Sequence, residues 1–254
     1  MNPAIQDTSE KVSLSVGNRT LQGLFEGVTR FYVDGSVLIG SKGYNNVHLL
    51  GLQAITGKDG NVFSRNRFYF RYGYQIAMTK KITVSAGLAA GFVNFSTKSS
   101  AASGGGNASS FDASLGMWVK SKKLQLGFSC QQLLEPNLQP IAQYSLLPRI
   151  FNYNINYFLK ISPNVTLNTY FHGRNQPAYT TLLEMAPILL WNKTLETGVN
   201  YKYKKGLALV GGFSAIKIYK GNVRGMVSYF INTSNLSGVS DSVLELSLGY
   251  ALVR

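Results

Sequence analysis

Apolar and polar residues alternate along many stretches of the chain. In FNYNINYFLKI, residues 151–161, every second position from the first is apolar, and asparagine occupies 152, 154 and 156, with Phe158 as the exception. A period of two is typical of an extended strand with one apolar and one polar face. The stretch therefore predicts a β-strand, and it leaves open which face points inward.

The same alternation recurs along the whole chain in segments of roughly ten residues, the length that crosses a bilayer at a tilt. Segments 27–39, 45–55 and 206–218 are weaker because both of their faces contain apolar residues. No stretch predicts a helix, and no apolar run reaches the roughly 18 residues of a membrane helix. We count about fourteen segments, which start near residues 10, 27, 45, 65, 81, 109, 122, 149, 164, 179, 194, 206, 222 and 241.

The connections between these segments alternate in length. A short one, GSKGYNN, follows the second segment, and KKG at 204–206 is the single short connection among those expected to be long. Such alternation is typical of outer-membrane barrels, in which short turns face the periplasm and long loops lie outside. The other short connections are TKK (79–81), SKK (121–123), SPN (162–164), WNK (191–193) and YKGN (219–222), and the long ones are TGKDGNVFSRN (56–66), STKSSAASGGGNASS (96–110), LLEPNLQPIAQYSLLP (133–148) and NTSNLSGVSD (232–241).

These patterns predict an all-β fold, a transmembrane antiparallel β-barrel of about 14 strands that forms a single domain over residues 1–254. A soluble barrel shares the period of two, but fourteen strands leave a lumen too wide for apolar side chains to fill. We therefore expect the apolar face to contact lipid in a bacterial outer membrane, with the short turns and both termini in the periplasm.

Composition agrees with a membrane barrel. Only 14% of the residues are charged, well below the usual quarter for soluble proteins. The first residues, MNPAIQDTSEK, lack the basic segment and apolar run of a signal peptide, so an export signal is expected to have been removed or to lie outside this sequence.

The net charge of +14 suggests nucleic acid, anionic lipid or an acidic protein as a partner. Nucleic acid is not expected, because no aromatic platform interleaves with the basic residues.

Lysines are concentrated in the short turns, where no acid interrupts them. They would form a ring around one rim of the barrel, which could contact the phosphates of outer-membrane lipids. The same ring could dock an acidic periplasmic partner, and the two interpretations can coexist. The predicted docking rim comprises Lys42, Lys80, Lys81, Lys122, Lys123, Lys193 and Lys220.

Charged residues on the polar faces would lie in the lumen. Opposite charges there could cross-link the wall and block a pore, or they could line a water-filled channel, and the sequence does not decide between these alternatives. Glycines on the same faces, such as Gly116, Gly127 and Gly249, would leave space inside. The predicted lumen charges are Asp34, Arg67, Arg71, Asp112, Lys120, Glu184, Glu196, Lys202, Arg224 and Glu245.

Catalytic and cofactor sites find no support in the sequence. His48 and His172 fall on the third and ninth segments, on opposite sides of a fourteen-strand ring, so each is expected to be a polar wall residue. No Cys/His cluster suggests a metal site, and no glycine-rich phosphate loop joins a strand to a helix. We therefore expect no enzymatic activity, no cofactor and no metal.

Five stretches of the chain are similar to motifs of one family of membrane proteins. MNPA at 1–4 is similar to the family's Asn-Pro-Ala motif, whereas IQDTSE after it replaces the usual small or Gly position. GNRTLQGL keeps Arg19 but lacks the aromatic residue that usually follows it. The other similar stretches are YGYQIAMTKKITVSAGLAAGF (72–92), FDASLGMWVKSKKLQLGFSCQQLLEP (111–136), LPRIFNYNINYFLKISPNVTLNTY (147–170) and SDSVLELSLGYAL (240–252). With these stretches the chain resembles the PorP/SprF family of outer-membrane proteins of the Bacteroidota, which is linked to type IX secretion and gliding motility.

The resemblance implies a non-enzymatic barrel whose relatives partner secreted surface adhesins or contact periplasmic lipoproteins of the secretion and motility machinery. Our first hypothesis is an anchor or docking scaffold for a periplasmic or cell-surface partner. The alternative is an outer-membrane channel or transporter for small solutes or hydrophobic ligands. A plugged lumen would favour docking, and a clear bore would favour transport.

Overall fold

Fourteen long antiparallel strands form a closed barrel, as the sequence predicts. The computed structural model describes residues 2–5, 10–22, 27–40, 46–99, 104–141, 145–177, 179–233 and 242–253. The barrel strands are β1 Glu10–Gln22, β2 Thr29–Ile39, β3 Asn46–Asp59, β4 Phe63–Ala77, β5 Thr83–Thr97, β6 Gly106–Lys120, β7 Leu124–Gln131, β10 Ile150–Ser162, β11 Val165–Asn175, β12 Leu182–Trp191, β13 Leu195–Lys202, β14 Gly206–Ile218, β15 Gly221–Asn232 and β16 Ser242–Val253.

Each barrel strand pairs with the next one along the chain, and β1 pairs with β16 to close the ring. The closing register runs from Glu10 opposite Val253 to Gln22 opposite Ser242. Two short strands, β8 Asn137–Leu138 and β9 Ser145–Leu146, pair with each other inside the connection from β7 to β10. In the described part of the chain, no helix is long and apolar enough to cross a membrane.

The apolar face of the strands points out of the barrel. In β10, Tyr153 is 51% exposed on the outside, whereas the neighbouring Asn152 is 6% exposed and points into the lumen. The same alternation holds in β4, where Phe68 and Phe70 are exposed and Tyr69 is buried. An exposed apolar belt around a polar interior is the arrangement of a transmembrane barrel.

Two connections that we expected to be long are shorter in the structure. β3 and β4 extend through most of residues 56–66, so only residues 60–62 connect them, and this expected loop is wrong. β5 and β6 likewise reduce the 96–110 loop to residues 98–105. Polar side chains occupy the outer face of β5 and β6 at this end: Asn94 Nδ2 donates to Asn107 Oδ1 at 2.5 Å and to Ser109 Oγ at 2.8 Å. These strands therefore continue past the apolar belt. Residues 41–45 and 234–241 of two other predicted connections lie outside the described residues.

Apolar side chains also occur inside the barrel, in two small clusters. Leu38, Val47 and Leu49 form one cluster, which explains why β2 and β3 have apolar residues on both faces. The second cluster lies on the inner surface of β4 and β5 and includes two leucines from the β7–β10 connection; its members are Tyr69, Ala89, Val93, Phe95, Leu138 and Leu147. The interior therefore contains folded polypeptide in addition to polar wall residues.

Candidate docking rim and lumen

The predicted docking rim lies on turns at one end of the barrel. Six of its lysines lie on the β4–β5, β6–β7, β12–β13 and β14–β15 connections, and Lys42 lies outside the described residues. Every one of the six is exposed: Lys80, Lys81, Lys122, Lys123, Lys193 and Lys220. The described residues of these four connections include no Asp or Glu, so the turns present a cationic surface.

Other residues at the same end, which the sequence analysis missed, extend this surface. Lys11, Lys160 and Lys217 are exposed and lie within two residues of strand ends. Tyr219 is 89% exposed, and the ammonium of Lys220 lies 5.5 Å from its ring centroid. Tyr219 and Lys193 have left-handed backbone conformations, with φ of 57° and 59°, which bulky residues rarely adopt. The signal that could have identified Tyr219 is its position next to a turn lysine.

Six of the predicted lumen charges form three ion pairs. Arg71 Nη2 donates to Asp34 Oδ1 at 2.5 Å. In the other two pairs, Lys202 Nζ lies 3.6 Å from Glu184 Oε1, and Arg224 Nη2 lies 3.2 Å from Glu196 Oε2. The pairs Asp34–Arg71 and Glu196–Arg224 each join two strands that are separated by one other strand, and Glu184–Lys202 joins the neighbouring strands β12 and β13. The charges therefore cross-link the inner surface of the wall.

The Asp34–Arg71 pair is the most buried of these contacts. Asp34 is on β2 and Arg71 is on β4, and the side chain of Arg71 crosses the intervening strand at Gly51. A Cβ at Gly51 would lie 3.1 Å from Arg71 Nη2, so glycine gives the guanidinium its path. Gln53 Nε2 donates to the other carboxylate oxygen of Asp34 at 3.1 Å. The carboxylate is therefore held by two partners.

The remaining four predicted lumen charges form no ion pair in the described part of the chain. Asp112 is fully buried and accepts a hydrogen bond of 2.7 Å from the Tyr69 hydroxyl. Glu245 lies opposite Arg19 in the β1–β16 register. Lys120 is the last residue of β6 and is partly exposed, and Arg67 faces the lumen from β4.

The beginning of the chain lies inside the barrel against β5, β6 and β7. Asn2 Nδ2 donates to the carbonyl oxygens of Met117 and Phe128, both at 3.0 Å, and its Oδ1 accepts from the amide of Ala4. Asn2, Pro3 and Ala4 are buried.

Glycines in the wall make room for this segment. A Cβ at Gly116 would lie 2.0 Å from Asn2 Oδ1, and one at Gly87 would lie 2.5 Å from the Pro3 carbonyl carbon. These distances are too short for any side chain. The Asn-Pro-Ala sequence and the glycines therefore form one packed unit.

The β7–β10 connection covers the same wall nearer the other end of the barrel. Leu138 is fully buried within the inner cluster on β4 and β5, and the amide of Leu133 donates to the carbonyl of Ala113 on β6 at 3.0 Å. A Cβ at Gly106 would overlap the carbonyl oxygen of Pro140. The long loop predicted at 133–148 thus folds partly inward.

A cavity of about 600 Å³ remains on the opposite side of the lumen. Charged and hydroxyl side chains contribute to its lining, which includes Asn2, Ser13, Asp34, Arg71, Tyr170, Glu196 and Arg224. Its polarity suits water and polar solutes better than hydrocarbons.

The histidines lie far from each other and on different faces. His172 points inward, with its Nδ1 2.9 Å from Asn154 Oδ1, whereas the Nδ1 of His48 lies 2.8 Å from the hydroxyl of the outward-facing Tyr72. No group of three or more potential metal ligands occurs among the described residues.

Comparison with known proteins agrees with this architecture. The family model described as type IX secretion system membrane protein PorP/SprF matches residues 1–250, which confirms the resemblance found in the sequence. No protein of curated function matches the chain by sequence.

Solved structures show the same barrel fold at low sequence identity. The toluene transporter TbuX of Ralstonia pickettii has a TM-score of 0.66 and 10% identity, with 100% of this chain and 92% of that chain covered. The monoaromatic hydrocarbon channel CymD has a TM-score of 0.65 and 13% identity, with 100% and 91% covered. A FadL homologue of Pseudomonas aeruginosa has a TM-score of 0.63 and 7% identity, with 99% and 92% covered. Together with the family and the outward apolar belt, this fold places the protein in a bacterial outer membrane.

Proposed function

Because the chain belongs to the PorP/SprF family of type IX secretion system membrane proteins, we propose that it is a non-enzymatic anchor. It would hold a periplasmic or cell-surface partner of the secretion and gliding machinery at the outer membrane. A periplasmic lipoprotein or another component of that machinery is the partner we expect.

The observation that carries this proposal is the exposed lysine rim. Six described rim lysines lie on four turns at one end of the barrel, and the described residues of those turns carry no acid. Lysines that lie close together repel one another, and an oppositely charged surface bound to them offsets this repulsion. An acidic protein surface would do so and would also associate faster through long-range attraction.

The filled part of the lumen supports anchoring over transport. The N-terminal segment and the β7–β10 connection both occupy space against β4–β7. Two internal segments with buried contacts narrow the path that a solute would take through the lumen. A docking barrel gains from them, because they stiffen the wall that supports the turns.

Charge reversal at the rim tests the proposal. Lys80, Lys81, Lys122 and Lys123 are changed to Glu, and partners that co-purify from native membranes are compared with those of the wild type across a salt series. We expect the variant to release the partner while the barrel still folds. Wild-type binding should weaken as salt rises, because the Debye length falls from about 10 Å at 0.1 M to about 3 Å at 1 M.

A matched control lies at the opposite end of the barrel. Lys204 and Lys205 are exposed in the β13–β14 turn, and changing them to Glu should leave the partner bound. Partners that are identical for wild type and rim variant, with the same salt dependence, would contradict docking. The lysines would then serve only to contact lipid phosphates, each contributing about 1 kcal/mol near an anionic surface.

The alternative function is a channel for small solutes, and the cavity of about 600 Å³ favours it. Its charged lining fits polar solutes, whereas the hydrocarbon specificity in the names of the solved relatives belongs to those proteins. Planar-bilayer recordings distinguish the two functions. A stable open conductance of the wild type, unaffected by rim reversal, would favour the channel over the anchor.

A further inference from the structure

The hairpin of β14 and β15 projects past the neighbouring strand β13 at the rim end of the barrel. β13 begins at Leu195, which lies opposite Phe213, and the amide of Ser214 donates to the carbonyl of Thr194 at 2.7 Å. β14 nevertheless continues to Ile218. At the rise of an extended strand, β14 therefore reaches about 15 Å beyond its last pair with β13.

This overhang leaves one side of β14 without a neighbouring strand. On the other side, residues 216–218 pair with residues 221–223 of β15. In the described part of the chain, no backbone hydrogen bond joins residues 215–218 to a residue on the β13 side. We call this side of residues 215–218 the free edge. Unpaired N–H and C=O groups along a strand are a template for another strand.

The backbone groups of Lys217 point to the free edge. A two-residue turn joins Ile218 to Gly221, so these two residues are bonded to each other across the hairpin. Because bonding directions alternate along an antiparallel strand, the N–H and C=O of Lys217 point away from β15.

The free edge cannot lie in the hydrocarbon core of the membrane, because lipid cannot hydrogen-bond its backbone groups. Every residue from Ala215 to Lys220 is exposed, and Tyr219 in the turn is 89% exposed. Strand alternation places Ile216 and Ile218 on one face of β14 and Lys217 on the other. The end of the hairpin therefore presents apolar side chains beside unpaired backbone groups.

A second overhang occurs at β10, but two features protect it. β10 continues to Ser162, although its strand pairing with β7 ends at Tyr157. Its register shifts between Lys160 and Ser162, and Pro163, which has no N–H, follows. Irregularities and prolines both hinder the addition of a strand to an edge. In β14 the irregularity lies before Ile216, so the edge nearest the turn is regular.

Lysines around the free edge select what can pair with it. Lys217 belongs to the edge, Lys220 lies in the turn, and Lys193 precedes Thr194 in the adjacent turn. None of these three lysines forms an ion pair with another described residue. Two copies of this hairpin paired edge to edge would bring lysines together, which disfavours self-association. Acidic side chains opposite the lysines would instead favour pairing.

We propose that the free edge of β14 binds an extended acidic segment of the partner, which adds to the barrel wall as a further strand. The proposal rests on the docking function of the lysine rim and specifies how the partner is recognised. Backbone hydrogen bonds supply affinity, and the alternation of side chains supplies specificity. Acidic residues of the segment lie on the face of Lys217, and apolar residues extend the face of Ile216 and Ile218.

Fluorescence anisotropy with a labelled synthetic peptide that alternates Val with Glu tests the free edge. The purified full-length barrel is kept in a non-ionic detergent at low salt, and folding of each variant is checked by its heat-modifiable migration. We expect Lys217→Ala to weaken binding about twofold to fivefold, since it removes one exposed charge. Lys217→Pro should weaken binding about fivefold further, because it also removes the N–H at the edge. Proline is tolerated at such a position of an edge strand.

Matched peptides separate strand addition from simple charge attraction. A peptide with the same side chains but N-methylated backbone amides cannot form a ladder and should not bind. Equal binding of this peptide, or equal affinities of Lys217→Pro and Lys217→Ala, would overturn strand addition. No binding of the unmodified peptide to the wild type at millimolar concentration would do the same. The methylated peptide decides the question even if Lys217→Pro does not fold.

Hydrogen exchange locates the added strand. Binding of the peptide should slow exchange at Lys217 and leave residues 159–162 of β10 unchanged. Protection of β10 alone would overturn the assignment to β14. Protection of Lys217 without peptide, either in phospholipid vesicles or in dimers of the barrel, would assign the edge to lipid or to a second copy.

The outcome is distinguishable from that of the docking function. If rim reversal releases the native partner but the peptide does not bind, strand addition is overturned and the anchor stands. If the peptide binds at Lys217 but rim reversal leaves the native partner attached, the edge is supported and the anchoring role of the lysine rim is overturned.

Discussion

Two walls of the barrel share one strand pattern but have different surroundings inside. The packed wall, β4–β7, is covered by the N-terminal segment and by the β7–β10 connection. The open wall, β13–β16, faces the cavity of about 600 Å³. A glycine that faces the lumen touches polypeptide in the packed wall, as Gly116 does, and open space in the other, as Gly249 does. The alternation of residues fixes which face points inward, and what fills the interior must be learned from the structure.

The largest expected effect concerns two ion pairs that both border the cavity, Asp34–Arg71 and Glu196–Arg224, but differ in the exposure of their cations. The Arg71 side chain is 5% exposed, whereas that of Arg224 is 53% exposed beside the cavity. Arg71→Met should lower the free energy of unfolding by about 3–5 kcal/mol, because it leaves the Asp34 carboxylate buried without its cation. Arg224→Met should cost less, about 1–3 kcal/mol, because the half-exposed guanidinium of Arg224 already shares its interactions with water, although the Glu196 side chain is itself only 8% exposed.

Urea titration of the barrel refolded in liposomes measures both costs. The double variant Asp34→Asn with Arg71→Met should recover most of the loss, because it removes the buried charge together with its partner. Equal costs for the two single variants would show that the exposure of the cation does not set the cost of losing the pair.

The outer faces of the two walls should behave alike. Leu115 in β6 and Leu248 in β16 are both exposed on the outside, and each lies five residues before the end of its strand, at Lys120 and Val253. Arg at either position should cost roughly 2–4 kcal/mol, the cost of a cation at the depth of the lipid core. The control Gly249→Arg, adjacent to Leu248 but facing the cavity, should cost clearly less in the same urea titration. A small cost at Leu115 or Leu248 would contradict the assignment of the lipid face.

A matched pair of glycines distinguishes the inner faces. Gly116→Ala should cost about 1–3 kcal/mol, because the new Cβ displaces Asn2 from its two carbonyl partners. Gly249→Ala should change stability by less than about 0.5 kcal/mol, since its Cβ would meet neighbours only at 3.7 Å and beyond.

Combining Gly116→Ala with Asn2→Asp checks that the two changes act on the same contact. An ionised Asp cannot donate to the carbonyls of Met117 and Phe128, so the single variant should itself be destabilising. The double variant should cost less than the sum of the two single ones. Additive costs would show that Gly116 serves another purpose.

The smallest effect on stability is expected for two cysteine variants that test which end of the barrel faces the cell exterior. Lys204 lies in a turn at the long-loop end and Lys122 in a turn at the rim end, and both are exposed. Cysteine at position 204, but not at 122, should react with an impermeant thiol reagent in intact cells. The variants are made with Cys130→Ser, because Cys130 is the only native cysteine. Labelling at 122 alone would reverse the predicted topology.

The positions of the strands were more predictable from the sequence than the lengths of the loops. The starts of the fourteen segments agree closely with the strands, including the three weaker ones, which became β2, β3 and β14. Their apolar inward residues, such as Leu38, Val47 and Val210, are buried inside the barrel. The loop at 56–66 was predicted wrongly because its polar residues resemble a connection, although they extend β3 and β4 past the apolar belt. Polarity marks the edge of the lipid zone, which need not be the end of a strand.

The sequence by itself determined the period of the strands, their approximate number, the outward direction of the apolar face and the position of lysines in short turns. These features are local, because each depends on neighbouring residues and on the length of chain that crosses a bilayer. Only the tertiary structure decided that Asn2 docks on Gly116 and that Arg71 reaches Asp34 across Gly51. Such contacts depend on how the closed ring brings residues together, and the periodicity of the chain contains no information about distances across a lumen.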